Sequence, residues 1–492
     1  MKKEILIDRE PGLTRVAILE DDELCEFYLE REGAEKLAGN IYKGRVQNVL
    51  NGMQAAFVDI GTGKNAFLYL GDEGPDARDL TFPGQEAAQI PCMRQERVHN
   101  GQELLVQVIK EPDGTKGARL SRQITLPGRY VVLAPQMDYV GVSRRIAEEG
   151  ERQRLKAEAE RVKPEGMGLI VRTAAEGRSG EDFLEDIREL TALWEQIVGR
   201  VRVGRAPCCV HRDQDLVTRT LRDLIASDVS RIVLGDAAEV ERVRSALRLF
   251  APALADRVER YAGGLPLFDA YRIESRLEKA LQRKVWLKNG GYLYIEATEA
   301  LTVIDVNTGK FVGSRDLQDT VFRLNCEAAK EIARQVRLRD IGGIIIIDFI
   351  DMQSEENRQK LVEVLREAFR RDRNKVNVAG LTSLGLVEMT RKRMRTPLAA
   401  SLQCLCPCCG GTGRVMQPEH TARRALRDVR RLRASGTEGE IVLSANSEVL
   451  EAARQLAPEG GLYLQLDANK GPNDFHVSTK PKDSCKGLEY LG

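Results

Sequence analysis

The chain has 492 residues, enough for about two to four domains of ordinary size. Its 75 Lys and Arg against 74 Asp and Glu leave a formal charge of +1, so binding to an anionic polymer through bulk charge is excluded and any such partner must meet local patches. The longest apolar run, around Ile344 to Ile347, is far too short to span a bilayer, and Met1-Lys2-Lys3-Glu4 leads into no signal-type apolar region, so the reading is a cytoplasmic protein without a membrane span.

Short β-like runs at Glu4 to Ile7, Arg15 to Leu19 and Leu24 to Leu29 predict a meander. Runs at Asn40 to Val46, Ala55 to Gly61, Ala66 to Leu68 and Leu104 to Ile109, with glycines at the bends, predict a small closed barrel. A Gly/Pro/Asp-rich stretch from Gly71 to Asn100 reads as a long loop within it. Residues 126–213 predict a charged helix over Glu151 to Val162, an apolar strand Gly168 to Val171 ending on Arg172-Thr173, and a helix over Gly180 to Val198. Residues 214–285 alternate helix and strand, with a strand at Arg231 to Leu234 and a helix at Ala238 to Phe250. From Lys284 to Asp351 the pattern is strand, strand, long helix, strand; in that helix Leu317, Val321, Leu324, Ala328, Ile332 and Val336 recur at steps of three and four. A helical run from Ser354 to Phe369 follows, with Asp351 ahead of it as the expected N-cap. The basic run Arg391, Lys392, Arg393 and Arg395 suits either a track for a nucleic-acid backbone or a solvated helix face. Beyond four crowded cysteines, a segment holding Arg423, Arg424, Arg427, Arg430, Arg431 and Arg433 opens a short α/β tail.

Residues able to carry chemistry fall in four places. Asp305 and Asp348 each end a strand that reads as buried on both faces, and the helix between them fits a crossover. The two strands would then lie side by side and parallel, with both carboxylates at one sheet edge. Such a pair suits Mg²⁺, which takes one or two carboxylates and keeps waters for a substrate phosphate. Asn307, two residues on and facing the same way, is placed to position a water. Either Asp alone would be an ordinary strand end or helix cap. Cys406-Pro407-Cys408-Cys409 with Gly410, Gly411 and Gly413 is half of a zinc site. The remaining ligands come either from Cys404 and Cys408 or from Cys406 and Cys409 of a second copy, which would staple a dimer around one shared Zn²⁺. The scattered Cys25, Cys92, Cys208, Cys209, Cys326 and Cys485 read as reduced thiols. Phe57 and Phe67 would project from adjacent barrel strands, with Lys43, Arg45 and Lys116 near, as in barrels that stack single-stranded bases; two Phe in β runs are otherwise core. Arg172-Thr173 at a strand end suits a phosphate.

Phe57-Val58-Asp59-Ile60-Gly61, Gly166 to Thr173, Glu299 to Asn307, Arg337 to Gly343, Ile347 to Met352 and Cys406 to Cys409, in that order, resemble the ribonuclease E/G family of bacterial endoribonucleases. The resemblance runs from about residue 4 to 415. It implies an α/β multidomain fold: an OB-fold RNA-binding barrel (39–125) inserted in an RNase H-like subdomain (1–38 with 214–282), then a 5′ sensor (126–213), a DNase I-like catalytic domain (283–400), a zinc link (401–415) and a small C-terminal α/β domain (416–492). By the same resemblance Asp305 and Asp348 bind Mg²⁺, Asn307 hydrogen-bonds the attacking water, and Cys406 and Cys409 hold Zn²⁺ between protomers. Phe57, Phe67 and Lys116 correspond to RNA contacts, and Gly128, Val132, Arg172 and Thr173 to a pocket for a 5′-monophosphate. Ser383 stands where the E branch carries an arginine, and the wording from Gly385 to Arg393 resembles the G branch. The implied activity is Mg²⁺-dependent endonucleolytic cleavage of single-stranded RNA, ribosomal RNA precursors and mRNA among it, stimulated by a 5′-monophosphate and leaving 5′-phosphate and 3′-hydroxyl ends. The implied assembly is a zinc-linked homodimer able to pair into a tetramer. The competing readings are a noncatalytic RNA-binding assembly factor, whose acidic pair only stabilises a sheet edge, and a metal-dependent deoxyribonuclease.

Overall fold

Three strands, β1 (Lys3–Glu10), β2 (Leu13–Glu20) and β3 (Glu23–Arg31), form the predicted meander. Both of its faces are covered, which is why the runs are so apolar: Ile5, Ile7, Val16 and Ile18 pack to one side, Leu6, Ala17 and Leu19 to the other. The structure is a computed structural model describing residues 2–33, 36–71, 97–112, 116–143, 145–146, 148–224, 228–250, 252–310, 317–436, 438–457 and 461–491. The expected loop over Gly71 to Asn100 lies, but for its ends, outside them, as does Cys92. The chain divides into two units, Met1–Ala399 and Ala400–Gly492.

Strands β4 (Ile41–Leu50), β5 (Ala55–Asp59), β6 (Ala66–Tyr69), β7 (Glu103–Lys110) and β8 (Arg119–Ser121) close a five-stranded barrel in the order β4-β5-β6-β8-β7, β7 pairing back onto β4. Val46, Ala56, Val58, Leu68, Val106 and Leu120 fill it. A four-stranded sheet follows, ordered β11-β12-β10-β9 from β9 (Leu126–Pro127), β10 (Val131–Ala134), β11 (Val140–Val142) and β12 (Gly168–Val171). It packs with helices α1 (Glu149–Val162) and α2 (Gly180–Val203), through Leu155, Ala159, Phe183 and Ile187. Then β13 (Cys208–His211) returns to the barrel and pairs with β4. After α3 (Leu216–Leu224), the strand β14 (Val229–Leu234) runs parallel to β1, and past α4 (Ala237–Phe250) β15 (Val258–Arg260) completes the first sheet in the order β15-β14-β1-β2-β3.

The stretch from Lys284 contains one strand more than its sequence pattern predicts. β16 (Lys284–Trp286), β17 (Tyr292–Ala297) and β18 (Leu301–Asn307) precede α5 (Leu317–Leu338) and β19 (Gly343–Asp348). α6 (Glu355–Phe369), β20 (Val376–Leu381) and β21 (Val387–Arg391) finish a sheet ordered β16-β17-β18-β19-β21-β20. β16 is missed because a three-residue strand is too short to show a period. Leu324, Ile332, Leu361 and Leu365 of α5 and α6 join Ile304, Val306, Ile345 and Ile347 in one core. The expectation that β18 and β19 are buried on both faces is corrected here. Burial alternates along β18, with Thr302, Ile304 and Val306 inside and Val303 and Asp305 outside. The isoleucine run of β19 is unbroken because its outer row is apolar too, Ile344 being 49% exposed. The N-cap of α6 is also not Asp351: the Ser354 side chain accepts from the Asn357 N–H, and Asp351 lies three residues too early to reach that turn.

The second unit carries the cysteines and the predicted α/β tail. α7 (Pro418–Ala434) buries Ala422, Ala425, Leu426 and Val429 and leaves Arg423, Arg427 and Arg430 outside. With α8 (Ser447–Leu456) it covers a sheet ordered β24-β22-β23-β25, made of β22 (Glu440–Ala445), β23 (Leu462–Leu466), β24 (Phe475–Lys480) and β25 (Glu489–Leu491). Among the described residues, no helix is long and apolar enough to cross a membrane.

Candidate active site

The crossover does what its length demands: β18 and β19 pair in parallel, and the register sets Asp305 opposite Asp348. Directly paired residues share a face, so both carboxylates stand on the exposed side, off the core. Asn307 joins them, its Nδ2 donating to Asp305 Oδ2 at 2.7 Å. Gly309 lets the chain turn away there, at φ +58°, where a Cβ would come within 2.4 Å of the Gly290 carbonyl oxygen. Burial raises the Asp348 carboxyl above its ordinary value, and the charges of Asp305 and Asp351 raise it further. Among the described residues no Lys or Arg pairs with Asp305, Asp348 or Asp351, and like charges are what Asp348 feels. Hard carboxylate oxygens in that state suit a divalent cation such as Mg²⁺.

One residue of this region, Asn325, is not singled out by the sequence, and another, Asp351, has a different role there. Asn325, fully buried in α5, donates from Nδ2 to the Ile350 carbonyl at 2.8 Å and accepts from the Ile350 N–H at 3.2 Å. It thereby fixes the chain between Asp348 and Asp351; its only signal is an amide on an otherwise apolar helix face. Asp351, assigned to a helix cap, instead adds its charge to the carboxylate row.

On the barrel, Phe57 and Phe67 are directly opposed on β5 and β6, both half-buried, their rings 6.1 Å apart and edge-to-face at 74°. Lys116 is exposed, two residues before Ala118, whose carbonyl accepts from the Phe67 N–H at 2.7 Å. Lys43 and Arg45 are engaged elsewhere than the expected basic rim: both pair with Glu103, at 2.8 and 3.2 Å, and donate to the carbonyls of Gly204 and Ala206.

The phosphate-pocket residues meet in part. Arg172, just past β12, donates from one guanidinium nitrogen to the Gly128 carbonyl and from another to Asp223 Oδ1 at 2.7 Å. Thr173 Oγ1 lies 3.0 Å from Ser143 Oγ. Val132 is fully buried in β10 between its pairs Pro127 and Ile170, so its side chain belongs to the sheet core. Partial burial pushes the Asp223 carboxyl up, but a hydrogen bond from Arg222 and the charge of Arg172 hold it well below the usual range.

In the second unit, Gly410 at φ +58° and Gly411 at φ +91° turn the chain back over the cysteines. The Gly413 N–H donates to Cys409 Sγ at 3.3 Å. Hydrogen bonds from the Gly413 and Gly411 amides lower the Cys409 thiol below its ordinary value, as a thiolate ligand requires. Two cysteine ligands would be half of a tetrahedral zinc set, and among the described residues no group of three or more His, Cys, Asp or Glu gathers as a metal cage.

The basic run is no helix face, and its first residue is not at the surface, while Arg393 and Arg395 stay exposed. Arg391 ends β21 and is 4% exposed, its Nε donating to Asp372 Oδ2 at 2.7 Å and another nitrogen to Asp340 Oδ1 at 2.8 Å. Arg393 donates to the Gly342 carbonyl, and Arg395 pairs with Asp340 and lies 4.0 Å over the Tyr28 ring.

Residues 125–394 match the "Ribonuclease E/G family". Over 455 residues the chain is 42% identical to a protein named ribonuclease G from Escherichia coli, covering 92% of this chain and 93% of that one. A ribonuclease G from Haemophilus influenzae is 43% identical over 466 residues, 94% of this chain and 95% of that one. A ribonuclease E from a Nostoc species is 42% identical over 429 residues, 86% of this chain and 61% of that protein.

Proposed function

Because the chain belongs to the ribonuclease E/G family, we propose that it is an endoribonuclease of RNA processing and decay, Mg²⁺-dependent and preferring single strands, that leaves 5′-phosphate and 3′-hydroxyl ends. The observation that carries this reading is the register of Asp305 with Asp348 on an exposed sheet face, with no Lys or Arg paired to them among the described residues.

Asp305 and Asp348 are the residues that would hold Mg²⁺. When bound, the ion supplies Lewis acidity toward the scissile phosphate and neutralises charge developing on it. Asp305 also fixes the Asn307 amide through its Nδ2, which leaves the carbonyl oxygen of that amide to accept from a water and aim it at phosphorus. Attack by that water, rather than by a ribose hydroxyl, keeps the phosphate on the 5′ side of the downstream product, and no histidine is needed as a base. Asn325 holds the segment behind Asp348 still.

The barrel, read as an OB fold, receives single-stranded RNA on Phe57, Phe67 and Lys116. Gly128, Arg172, Thr173 and the backbone of Val132, whose side chain is core, receive a 5′-monophosphate, which Arg172 meets by sharing its guanidinium with Asp223. Residues 1–38 with 214–282 act as an RNase H-like support, and 283–400 as a DNase I-like catalytic domain. Cys406 and Cys409 of two copies share one Zn²⁺; the double variant Cys406→Ser, Cys409→Ser should be a zinc-free monomer on sedimentation, and an intact dimer would refute the link. Ribosomal RNA precursors and mRNA in the cytoplasm are the expected substrates.

The test is a single-stranded oligoribonucleotide incubated with the purified protein and Mg²⁺ or EDTA. Discrete cuts bearing 5′-phosphates are expected with Mg²⁺ alone. Tight binding without cleavage would instead support a noncatalytic RNA-binding protein.

A further inference from the structure

The carboxylate pair has aromatic neighbours on its own sheet face. Strand pairing sets Lys284 opposite Tyr294, Tyr294 opposite Asp305, and Asp305 opposite Asp348, so four strands contribute one transverse row. The adjacent row runs Trp286, Tyr292, Asn307. Trp286 is 56% exposed and Tyr294 40%, on a sheet whose opposite face is core. The Trp286 and Tyr292 rings stand edge-to-face, with centroids 5.4 Å apart. The Lys284 ammonium sits 4.1 Å from the first ring centre and 3.7 Å from the second. A cation braces these rings where burial does not.

We propose that Trp286, with Tyr294 beside it, is a stacking platform for a base of the RNA strand within one or two nucleotides of the phosphodiester being cut. The inference rests on the endoribonuclease reading above and adds a residue that grips the substrate at the same site. Neighbouring strands lie about 4.8 Å apart, so Tyr294 stands one such step from Asp305 and Trp286 two from Asn307. That is the reach of the nucleotides adjoining a phosphate seated at the carboxylates. Ring faces beside a cation are the composition of a surface that stacks bases and attracts phosphates. The aliphatic exposed residues Val303 and Ile344 lie on the other side of the carboxylate row, toward the starts of their strands, whereas Trp286 and Tyr292 share the row of Asn307. Stacking tolerates any base, so the platform governs how firmly the strand is held rather than which sequence is chosen.

The experiment compares the parent, Trp286→Ala and Trp286→Phe on one oligoribonucleotide with a single defined cut. A set of the same RNA carries one abasic residue walked through the positions flanking that cut. Trp286→Ala should lower kcat/KM about tenfold, chiefly through KM, and Trp286→Phe should restore most of it. One abasic position should cost the parent a similar factor and cost Trp286→Ala nothing more. The platform is overturned if Trp286→Ala cuts within twofold of the parent, or if every abasic position costs both proteins equally. A loss that tracks a changed sedimentation state, with abasic effects untouched, also overturns it and marks a protein interface instead. Should the parent leave every RNA whole in Mg²⁺, the endoribonuclease reading falls and the platform with it.

Discussion

Two of the carboxylate clusters in the first unit differ in where the opposite charge comes from. Asp340 and Asp372 close on Arg391, which is 4% exposed, so the chain itself supplies the opposite charge. Burial alone would lower the Arg391 pKa, but its hydrogen bonds to Asp372 and the charges of both carboxylates raise it instead. Asp305, Asp348 and Asp351 stand exposed with like charges for neighbours. A charge set completed by the chain is architecture, since breaking it strands a buried ion. A set left incomplete at the surface costs little to hold in water and is ready for an ion from outside. Arg172 with Asp223 lies between these cases, already paired yet partly exposed.

Four measurements would break or sharpen this contrast. Asp348→Asn should lower the cleavage rate at saturating Mg²⁺ about a thousandfold, the several kcal/mol a metal contributes, while leaving the urea midpoint near that of the parent. An unchanged rate would remove the active-site reading. Asp372→Ala should behave the other way, losing about 3–5 kcal/mol of stability in urea titration because Arg391 is left buried with one partner fewer. Its folded fraction should still cut RNA, and a stability loss under about 1 kcal/mol would count against the buried cluster as architecture. Arg172→Ala should erase a preference of about tenfold for 5′-monophosphate over 5′-hydroxyl substrates while internal cutting persists, the scale of a charged hydrogen bond. The smallest effect is in pH. The Asp223 carboxyl is depressed in the folded chain, so its stabilisation is present above the unfolded value near about 4 and is lost as pH falls through the lower folded value. Acid titration of Asp223→Asn should therefore show a shallower loss of stability than the parent below about pH 4.

What could be read from the residues alone follows the range of the forces involved. The strands of the meander and the face of α5 were legible because alternation and three-to-four spacing are local. The pairing of Asp305 with Asp348 was legible as well, since a strand, a long helix and a strand leave the chain few ways to close. The partners of Arg391 lie 51 and 19 residues away, and that of Arg172 51 away, with no pattern linking them. A basic run therefore reads as a surface although its first residue, Arg391, is a buried clasp. Asn325 hid for the same reason: an amide in an apolar face announces a hydrogen bond but not its partner. The outer face of β18 and β19 was misjudged because a run of isoleucines looks alike whether helices cover one side or two.

The pairing of β13 with β4 bears on how the chain is made and how it may be cut. The last barrel strand, β8, ends at Ser121, yet the strand lying along the outer side of Ile41 to Lys43 begins only at Cys208. On the ribosome that flank of β4 must wait, its peptide groups bare, until the intervening sheet and helices have been synthesised. A recombinant piece ending with the barrel would keep the same raw edge and invite strand addition between molecules. A piece that also carries the segment through His211 would arrive with its edge already dressed, and it is the more promising one to express.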